Sequence, residues 1–398
     1  MTTVEFLYRC PTENITSALT LKPDKIIFIG KDKLQNEDIY TDFIASKSPK
    51  TVTDFIYTDT NDFKGLINTL SRIIETEGDV IFDLTGGEDL LLAAIGVVLE
   101  RYKSRQNIAI QRFDIPENKL LLWKNNSLEE KTSGAGITVE EQISLHGGMI
   151  LENGEDEIIL NDKSAEVIDL LWEVFKTDRH YNSNVKLLQR AMKLDTDELD
   201  LFVKIDLIDF KKYEPNPQSL EWLTEFLNSL KTAGLISFLR MTSREMEFSF
   251  SSYAAKKLLG KEGNVLEMKV FKTAKQLKNK NGGPYYTDAL RSVTIDWDGI
   301  IGDTKNEIDC ILMKNLVPVF ISCKCGDIEE VELYKLDAVA RRFGGKFAKK
   351  VLVSTHYGKD PLATAHFRRR AADMEVTLLE NVHLLNEEEF AAAIKKLP

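Results

Sequence analysis

The 398-residue sequence has only 4 cysteines and 10 prolines, and no apolar run approaches the roughly 20 residues that span a bilayer. Four scattered thiols, Cys10, Cys310, Cys323 and Cys325, argue against a disulfide framework and for a reducing, cytoplasmic compartment. Scarce proline and an ordinary aromatic share exclude collagen-like and disordered chains. The opening Met1–Cys10 stretch reads as a strand, without the layout of a signal peptide. Cys323-Lys324-Cys325 has no second cysteine pair and no histidine at suitable spacing, so no zinc site is expected. No Gly-x-Gly-x-x-Gly follows the first strand, which leaves ordinary dinucleotide binding unsupported. Basic residues are in deficit, 52 against 63 acidic, and the net charge of −11 argues against nucleic-acid binding over the whole surface.

What the chain does have is length for two or three domains and a clear alternation near its start. Val4–Tyr8, Lys25–Ile29, Val52–Tyr57, Val80–Leu84 and Ile108–Phe113 read as strands, with helical periodicity over Asn61–Glu77 and Leu90–Tyr102. Alternating strands and helices predict a Rossmann-like α/β unit over residues 1–150, its parallel sheet covered on both faces. After the fourth strand comes Asp83-Leu84-Thr85-Gly86-Gly87-Glu88. Two glycines there let the backbone approach a ligand closely, Thr85 adds a hydroxyl, and the helix starting near Glu88 aims N–H groups at the same place. Ligands of such sheets sit beyond the carboxyl ends of the strands, so an anion, most simply a phosphate, is the expected occupant. The alternative is a tight strand-to-helix turn without a ligand. The first strand runs into Arg9-Cys10-Pro11-Thr12-Glu13-Asn14 and the second into Gly30-Lys31-Asp32-Lys33. If the strands are parallel, all three turns share one sheet edge and together suit a nucleotide with several phosphates.

Over residues 151–262 the alternation stops. Ala165–Phe175, Val185–Met192 and Leu220–Ala233 read as helices, followed by a hairpin of Leu235–Arg240 and Glu245–Ser251 turning at Met241–Arg244. Helices followed by a hairpin are winged-helix-like, but the acidic cluster Asp195, Asp197, Glu198 and Asp200 favours a connecting or dimerising module over DNA binding.

Residues 263–398 hold the catalytic candidates. Asn264–Lys280 reads as a helix with an apolar side, Glu267 in its first turn, and a basic side of Lys269, Lys272, Lys275 and Lys278. Strands are expected over Ser292–Trp297, Glu307–Met313 and Leu316–Cys323, the last two forming a hairpin that turns at Asn315. Carboxylates from a helix and a strand can hold a divalent cation that polarises a phosphodiester and activates water. A nearby lysine can orient or deprotonate that water, or neutralise charge on the phosphate. Glu267, Asp309 and Lys324 in this order suit the task, although any one of them alone reads better as a surface Glu, a hairpin Asp or an ordinary Lys. Between Ala338 and Ala372 stand nine basic residues (Arg341, Arg342, Lys346, Lys349, Lys350, Lys359, Arg368, Arg369 and Arg370) against one acid, Asp360. Such a local excess suits a phosphate backbone.

Asn306-Glu307-Ile308-Asp309-Cys310-Ile311-Leu312, followed by Pro318-Val319-Phe320-Ile321-Ser322-Cys323-Lys324, resembles the PD-(D/E)xK nuclease core, and Gly263-Asn264-Val265-Leu266-Glu267 resembles the helix before it. The N-terminal unit with Asp83-Leu84-Thr85-Gly86-Gly87 is similar to the CRISPR-associated Rossmann fold (CARF), which senses cyclic oligoadenylates. The pair in one chain resembles the ancillary CARF-domain nucleases of type III CRISPR systems. That resemblance implies a CARF domain, a winged-helix-like insert and a restriction-endonuclease-like α/β domain. It further implies a homodimer whose two Rossmann units share a pocket for cyclic tetra-adenylate, and nuclease domains that cut DNA and/or RNA with Mn²⁺ or Mg²⁺ when the ring is bound. Glu267 and Asp309 are then metal ligands and Lys324 the catalytic lysine. Thr85, Gly86 and Gly87 face the ring's phosphates, with Cys10, Pro11, Thr12, Asn14, Gly30, Lys31 and Asp83 in the same pocket. The position two before Lys324, an acid in the general motif, is Ser322. Metal binding then rests on Glu267, Asp309, a carbonyl near Cys323 and the substrate, or on Glu307 or Asp303. Glu332 and Lys335 stand ready for substrate placement. Two other readings remain open at this point: a ligand-responsive transcription regulator that uses the insert, and a ring nuclease that degrades the cyclic oligoadenylate.

Overall fold

A computed structural model of the chain describes residues 1–7, 10–32, 37–124, 127–154, 160–194, 201–260, 264–298, 305–355 and 361–397. Arg9, Lys33, Asp195, Asp197, Glu198, Asp200, Gly263, Asp303, Lys359 and Asp360 lie outside the described residues.

The short β-branched runs near the start build one sheet. Strands β1 (Thr2–Phe6), β2 (Lys25–Gly30), β3 (Val52–Tyr57), β4 (Val80–Asp83) and β5 (Ile108–Asp114) are parallel, in the spatial order β3-β2-β1-β4-β5. Helices α1 (Thr16–Thr20), α2 (Glu37–Lys47), α3 (Phe63–Thr76) and α4 (Asp89–Arg101) connect them. Side chains alternate across a strand, and in β2 Ile27 and Ile29 join one core with α3 and α4 while Ile26 and Phe28 enter another. The expectation of a wholly parallel sheet needs correcting at one end. β6 (Lys119–Lys124) and β7 (Ser127–Thr132) extend it as an antiparallel meander. The β7 segment Ser-Leu-Glu-Glu-Lys-Thr is exposed throughout, and an edge strand with no buried face carries no apolar alternation to read.

Helix α5 (Val139–Leu145) and strand β8 (Met149–Glu152) come next, and β8 belongs to the C-terminal sheet. The insert consists of α6 (Asp162–Thr177), α7 (Tyr181–Met192), β9 (Phe202–Asp206), α8 (Leu207–Tyr213), α9 (Ser219–Thr232), β10 (Ile236–Met241), β11 (Glu245–Phe250) and α10 (Tyr253–Leu259). Its expected hairpin is present, and β9 adds a third strand in the order β10-β11-β9.

The remaining elements are α11 (Asn264–Gln276), β12 (Asp288–Asp296), β13 (Lys305–Lys314), β14 (Val317–Lys324), α12 (Val331–Gly344), β15 (Lys349–Ser354), α13 (Pro361–Asp373), β16 (Val376–Leu379) and α14 (Glu387–Lys395). The sheet order is β16-β15-β14-β13-β12-β8, parallel over β14-β15-β16 and antiparallel elsewhere. This sheet is the centre of the molecule. Leu312, Val319, Ile321, Val351 and Val353 pack on one face with the insert, α11 and α14. Ile311, Met313, Phe320 and Leu352 pack on the other with α1, α2, α5 and α12. No helix among the described residues is long and apolar enough to cross a membrane.

The basic side expected on α11 is not a solvated face. Lys269 and Lys272 are buried, and Lys278 lies beyond the helix end. The Lys269 ammonium contacts Asp169 of α6 at 3.0 Å and Glu387 of α14 at 2.6 Å, and Lys272 also pairs with Asp169. Both partner acids keep contact with water, so the lysine stem contributes mainly through packing. Lys269→Ala is expected to destabilise the chain by roughly 2–4 kcal/mol. Lys269→Met, which keeps the volume, should cost less than about 1.5 kcal/mol. Urea unfolding of the two variants checks the contrast.

Candidate active site

The turn between β13 and β14 sets the geometry. Asn315 sits there with φ of 59°, a left-handed conformation that Asn tolerates better than most residues. The resulting register pairs Cys310 with Ile321, which places Asp309 across from Ser322. Ser322 Oγ donates to Asp309 Oδ2 at 3.1 Å, and the Cys323 N–H donates to the same oxygen at 2.6 Å. On the other side β12 pairs Arg291 with Cys310 and Val293 with Ile308, so Ser292 also faces Asp309. Ser292 has φ of 46°, and strain of this kind in a non-glycine residue tends to mark a functional site. Its hydroxyl donates to the carboxylate of Glu267, which arrives from the first turn of α11. Three neighbouring strands and one helix therefore deliver Ser292, Asp309, Ser322 and Glu267 to one spot.

The electrostatics there are under tension. Burial, with added repulsion from Asp309 and Glu307, pushes the Glu267 carboxyl up to about 7, against the Ser292 hydrogen bond and Arg291. Lys324, at the end of β14, lies 3.9 Å from Asp309 Oδ2 and 2.9 Å from Glu332 Oε2 of α12. Burial works against its charge, but Asp309 and Glu332 outweigh burial and hold its ammonium above the ordinary lysine value. Lys324 is thus a cation here, suited to donating to a phosphate oxygen rather than to taking a proton. Glu332 also pairs with Lys335 at 2.8 Å. Ser292 and Arg291 were not singled out in the sequence, where no motif separates them from other strand residues. Among the described residues no group of three or more His, Cys, Asp or Glu is arranged to hold an ion, and Glu307 is exposed. The carboxylate pair itself, Glu267 and Asp309, offers two hard oxygen donors and fits a hard divalent cation whose remaining ligands come from backbone, water or substrate.

The three turns expected at one edge of the N-terminal sheet do lie at the carboxyl ends of parallel β1, β2 and β4. Their side chains differ in role. Asp83 is buried and braces the turn from beneath, accepting from the Thr85 N–H at 2.8 Å, from the Thr16 hydroxyl at 2.9 Å, and from the Thr85 hydroxyl and the Gln111 amide. Thr85 Oγ1 in turn accepts from the Phe113 N–H at 2.8 Å. Beside them Glu5 is buried, and burial together with Asp83 holds its carboxyl well above the ordinary range. Cys10, Thr12, Asn14 and Gly30 are buried, while Pro11, Gly86 and Gly87 are partly open and Lys31 is exposed. Gly87 has φ of 106°, and Glu88, the N-cap of α4, makes no side-chain cap hydrogen bond to the first turn of the helix.

Thr12, Glu13 and Asn14 instead turn inward. Asn14 Nδ2 donates to the Tyr40 hydroxyl at 3.0 Å, and Thr12 Oγ1 donates to Gln142 Oε1 at 3.4 Å. Gln142 Nε2 then donates to the Phe343 carbonyl at 2.8 Å, and buried Glu13 pairs with Lys346 at 2.5 Å. The far end of α12 is thereby tied to the loop after β1, while its first turn holds Lys324 through Glu332.

The basic run after Ala338 does not form one free surface. Lys350 is buried against Asp337 at 2.8 Å, Arg341 pairs with Asp337 at 2.8 Å, and Arg368 with Glu380 at 2.9 Å. Arg342 donates to the His146 and Trp297 carbonyls at 2.6 and 3.1 Å. Four of the eight described cations of this run pair with acids that lie outside it, Asp337, Glu380 and Glu13, which a count within the run does not include.

The raised Glu267 carboxyl has a signed consequence. The folded chain binds this proton more tightly than the unfolded chain, so its contribution favours folding at low pH and is lost as pH rises from about 4.5 through about 7. Glu267→Gln removes the penalty. It should stabilise the metal-free chain at pH 8 by up to roughly 3 kcal/mol and hardly at all at pH 4.5, read from urea midpoints at the two pH values.

No family model matches the sequence, and no curated protein matches it. Solved structures do. Protein VC1899 from Vibrio cholerae superposes with a TM-score of 0.71 at 18% identity, over 100% of this chain and 97% of that one. Can2 from Sulfobacillus thermosulfidooxidans, solved in complex with cyclic tetra-adenylate, superposes with a TM-score of 0.63 at 17% identity, over 95% of this chain and 94% of that one. The chain thus shares the fold of these two proteins over nearly its whole length, the α/β architecture that its resemblance to CARF-domain nucleases implies.

Proposed function

We propose that this chain is a metal-dependent nuclease of type III CRISPR defence, switched on by a cyclic oligoadenylate, with cyclic tetra-adenylate as the expected ring. The observation that carries the reading is the meeting of Glu267, Asp309 and Lys324: a carboxyl raised to about 7 by burial and by Asp309, with the Lys324 ammonium 3.9 Å from Asp309. Glu267 and Asp309 would hold Mn²⁺ or Mg²⁺, which supplies polarisation of the phosphodiester and a more acidic water when bound. Ser322 and the Cys323 N–H orient Asp309 for that task. Lys324 donates to the phosphate as negative charge grows on it, and Glu332 keeps the ammonium in place. Glu267 must lose its proton to bind a cation, so metal-dependent activity is expected to rise with pH across the range around 7.

For the sensor, the open ends of Gly86, Gly87 and α4 offer N–H groups to the ring's phosphates. Leu90 and Val97 stand exposed on α4, seven residues apart and so on one face. A twofold axis along that face would form a homodimer and bring two such turns together over one ring. The contacts from the loop after β1 to Lys346, and from α12 to Lys324, give ring binding a route to the catalytic lysine.

Two outcomes test the reading. In the full chain with Mn²⁺, nucleic-acid cleavage should depend on cyclic tetra-adenylate and fall by at least about a hundredfold in Lys324→Ala while ring binding is kept. Cleavage unchanged in Lys324→Ala would overturn it. Lys346→Ala should keep ring-independent cleavage and ring binding but reduce ring stimulation by roughly tenfold. Stimulation at the parent level would remove this route.

A further inference from the structure

A cavity of about 840 Å³ lies where the insert meets the carboxyl end of the C-terminal sheet. One wall is Cys325 and Gly326, the two residues after Lys324, with Thr355 at the end of β15. The Thr355 N–H donates to the Lys324 carbonyl at 3.2 Å, so this wall is bonded to the catalytic residue's own backbone. Gly326 has φ of 109°, and a Cβ built there would meet nothing within 4 Å, which leaves the backbone open to a ligand. The opposite wall is the turn between α6 and α7 with Arg179 and His180, and His383 and Leu384 close a third side.

The charges on the α6–α7 turn decide what fits. Asp178 is held in local structure: its Oδ1 accepts from the His180 N–H at 2.8 Å and its Oδ2 from Asn184 at 2.8 Å. Lys176 is drawn to Glu173 at 2.6 Å. Arg179 is exposed, and its guanidinium makes no hydrogen bond or ion pair with any described residue. Arg179 thus adds a planar, permanently charged donor fork to the lining of this cavity, which suits a phosphate. The volume lies within the roughly 300–1,000 Å³ typical of sites for small organic groups, and Leu384, 73% exposed, gives a base or sugar an apolar surface.

We propose that this cavity is a substrate subsite: it takes a nucleotide of the cleaved strand next to the scissile phosphate, and Arg179 grips that nucleotide's phosphate. The proposal rests on the nuclease reading above. It gives the insert a direct part in holding substrate, across the cavity from the Lys324 backbone. Because Arg179 is exposed and makes no hydrogen bond or ion pair with any described residue, its substitution is expected to keep the fold.

The test uses the full chain carrying Lys324→Ala, with Mn²⁺ and cyclic tetra-adenylate, and a fluorescent single-stranded oligonucleotide as the probe. Adding Arg179→Ala should weaken binding by roughly tenfold, and lower the slope of log affinity against log salt by about one phosphate contact. Arg179→Lys should recover part of the affinity. In the Lys324 parent, Arg179→Ala should raise KM for the strand with kcat and ring affinity kept. Unchanged oligonucleotide affinity and KM in Arg179→Ala overturn the subsite and leave the nuclease reading standing. Failure of the parent to bind or cleave DNA or RNA, single- or double-stranded, overturns both.

Discussion

The register of the β13–β14 hairpin is the constraint on which the candidate site depends. Side chains in a strand alternate with a period of two, so a slip of one residue would exchange the faces of every side chain in the pair. With Cys310 set against Ile321, Cys310, Leu312, Val319 and Ile321 enter one core while Ile311, Met313 and Phe320 enter the other. The same register sets Asp309 beside Ser322 and the Cys323 N–H. The apolar alternation that makes the sheet foldable thus also carries the polar residues into place, and Asn315 at the turn holds both.

Around that register the molecule keeps charge in places where charge is costly. Glu267 is raised by burial and by a like charge, Ser292 is held in a left-handed conformation, and Lys324 is a partly buried cation between two acids. Buried or strained groups of this kind persist only where the surroundings over-determine them. Here the surroundings are the two cores that clasp the central sheet, together with the Lys269 clamp from α11 to α6 and α14. A second pair of buried carboxyls, Glu5 and Asp83, lies beneath the Gly86-Gly87 turn. Desolvation raises both, and the hydrogen bonds that Asp83 accepts hold the turn in shape.

Helix α12 spans the distance between these two regions. Its first turn carries Glu332 against Lys324, and its last residues meet Gln142, His146 and, through Lys346, Glu13. These contacts join the two regions through a single helix.

The strands β1 to β5, the insert's hairpin and the β13–β14 hairpin were legible in the sequence, because apolar periodicity and turn residues are local signals. A motif that resembles a known core also singled out Glu267, Asp309 and Lys324, which the fold brings close together. Edge strand β7 was not, since a strand exposed on both faces leaves no alternation. Nor was the fate of the charges: Lys269 reads as a surface lysine and is buried, Asp83 reads as a ligand contact and braces the turn from beneath, and four cations of the basic run after Ala338 are paired with acids outside it. Sequence alone determined the order of elements and the residue types available for chemistry. Which charges face a ligand and which are tied up inside was decided by tertiary structure, because a charge is matched by its neighbours in space, and those neighbours lie up to more than a hundred residues away, as Glu387 does from Lys269.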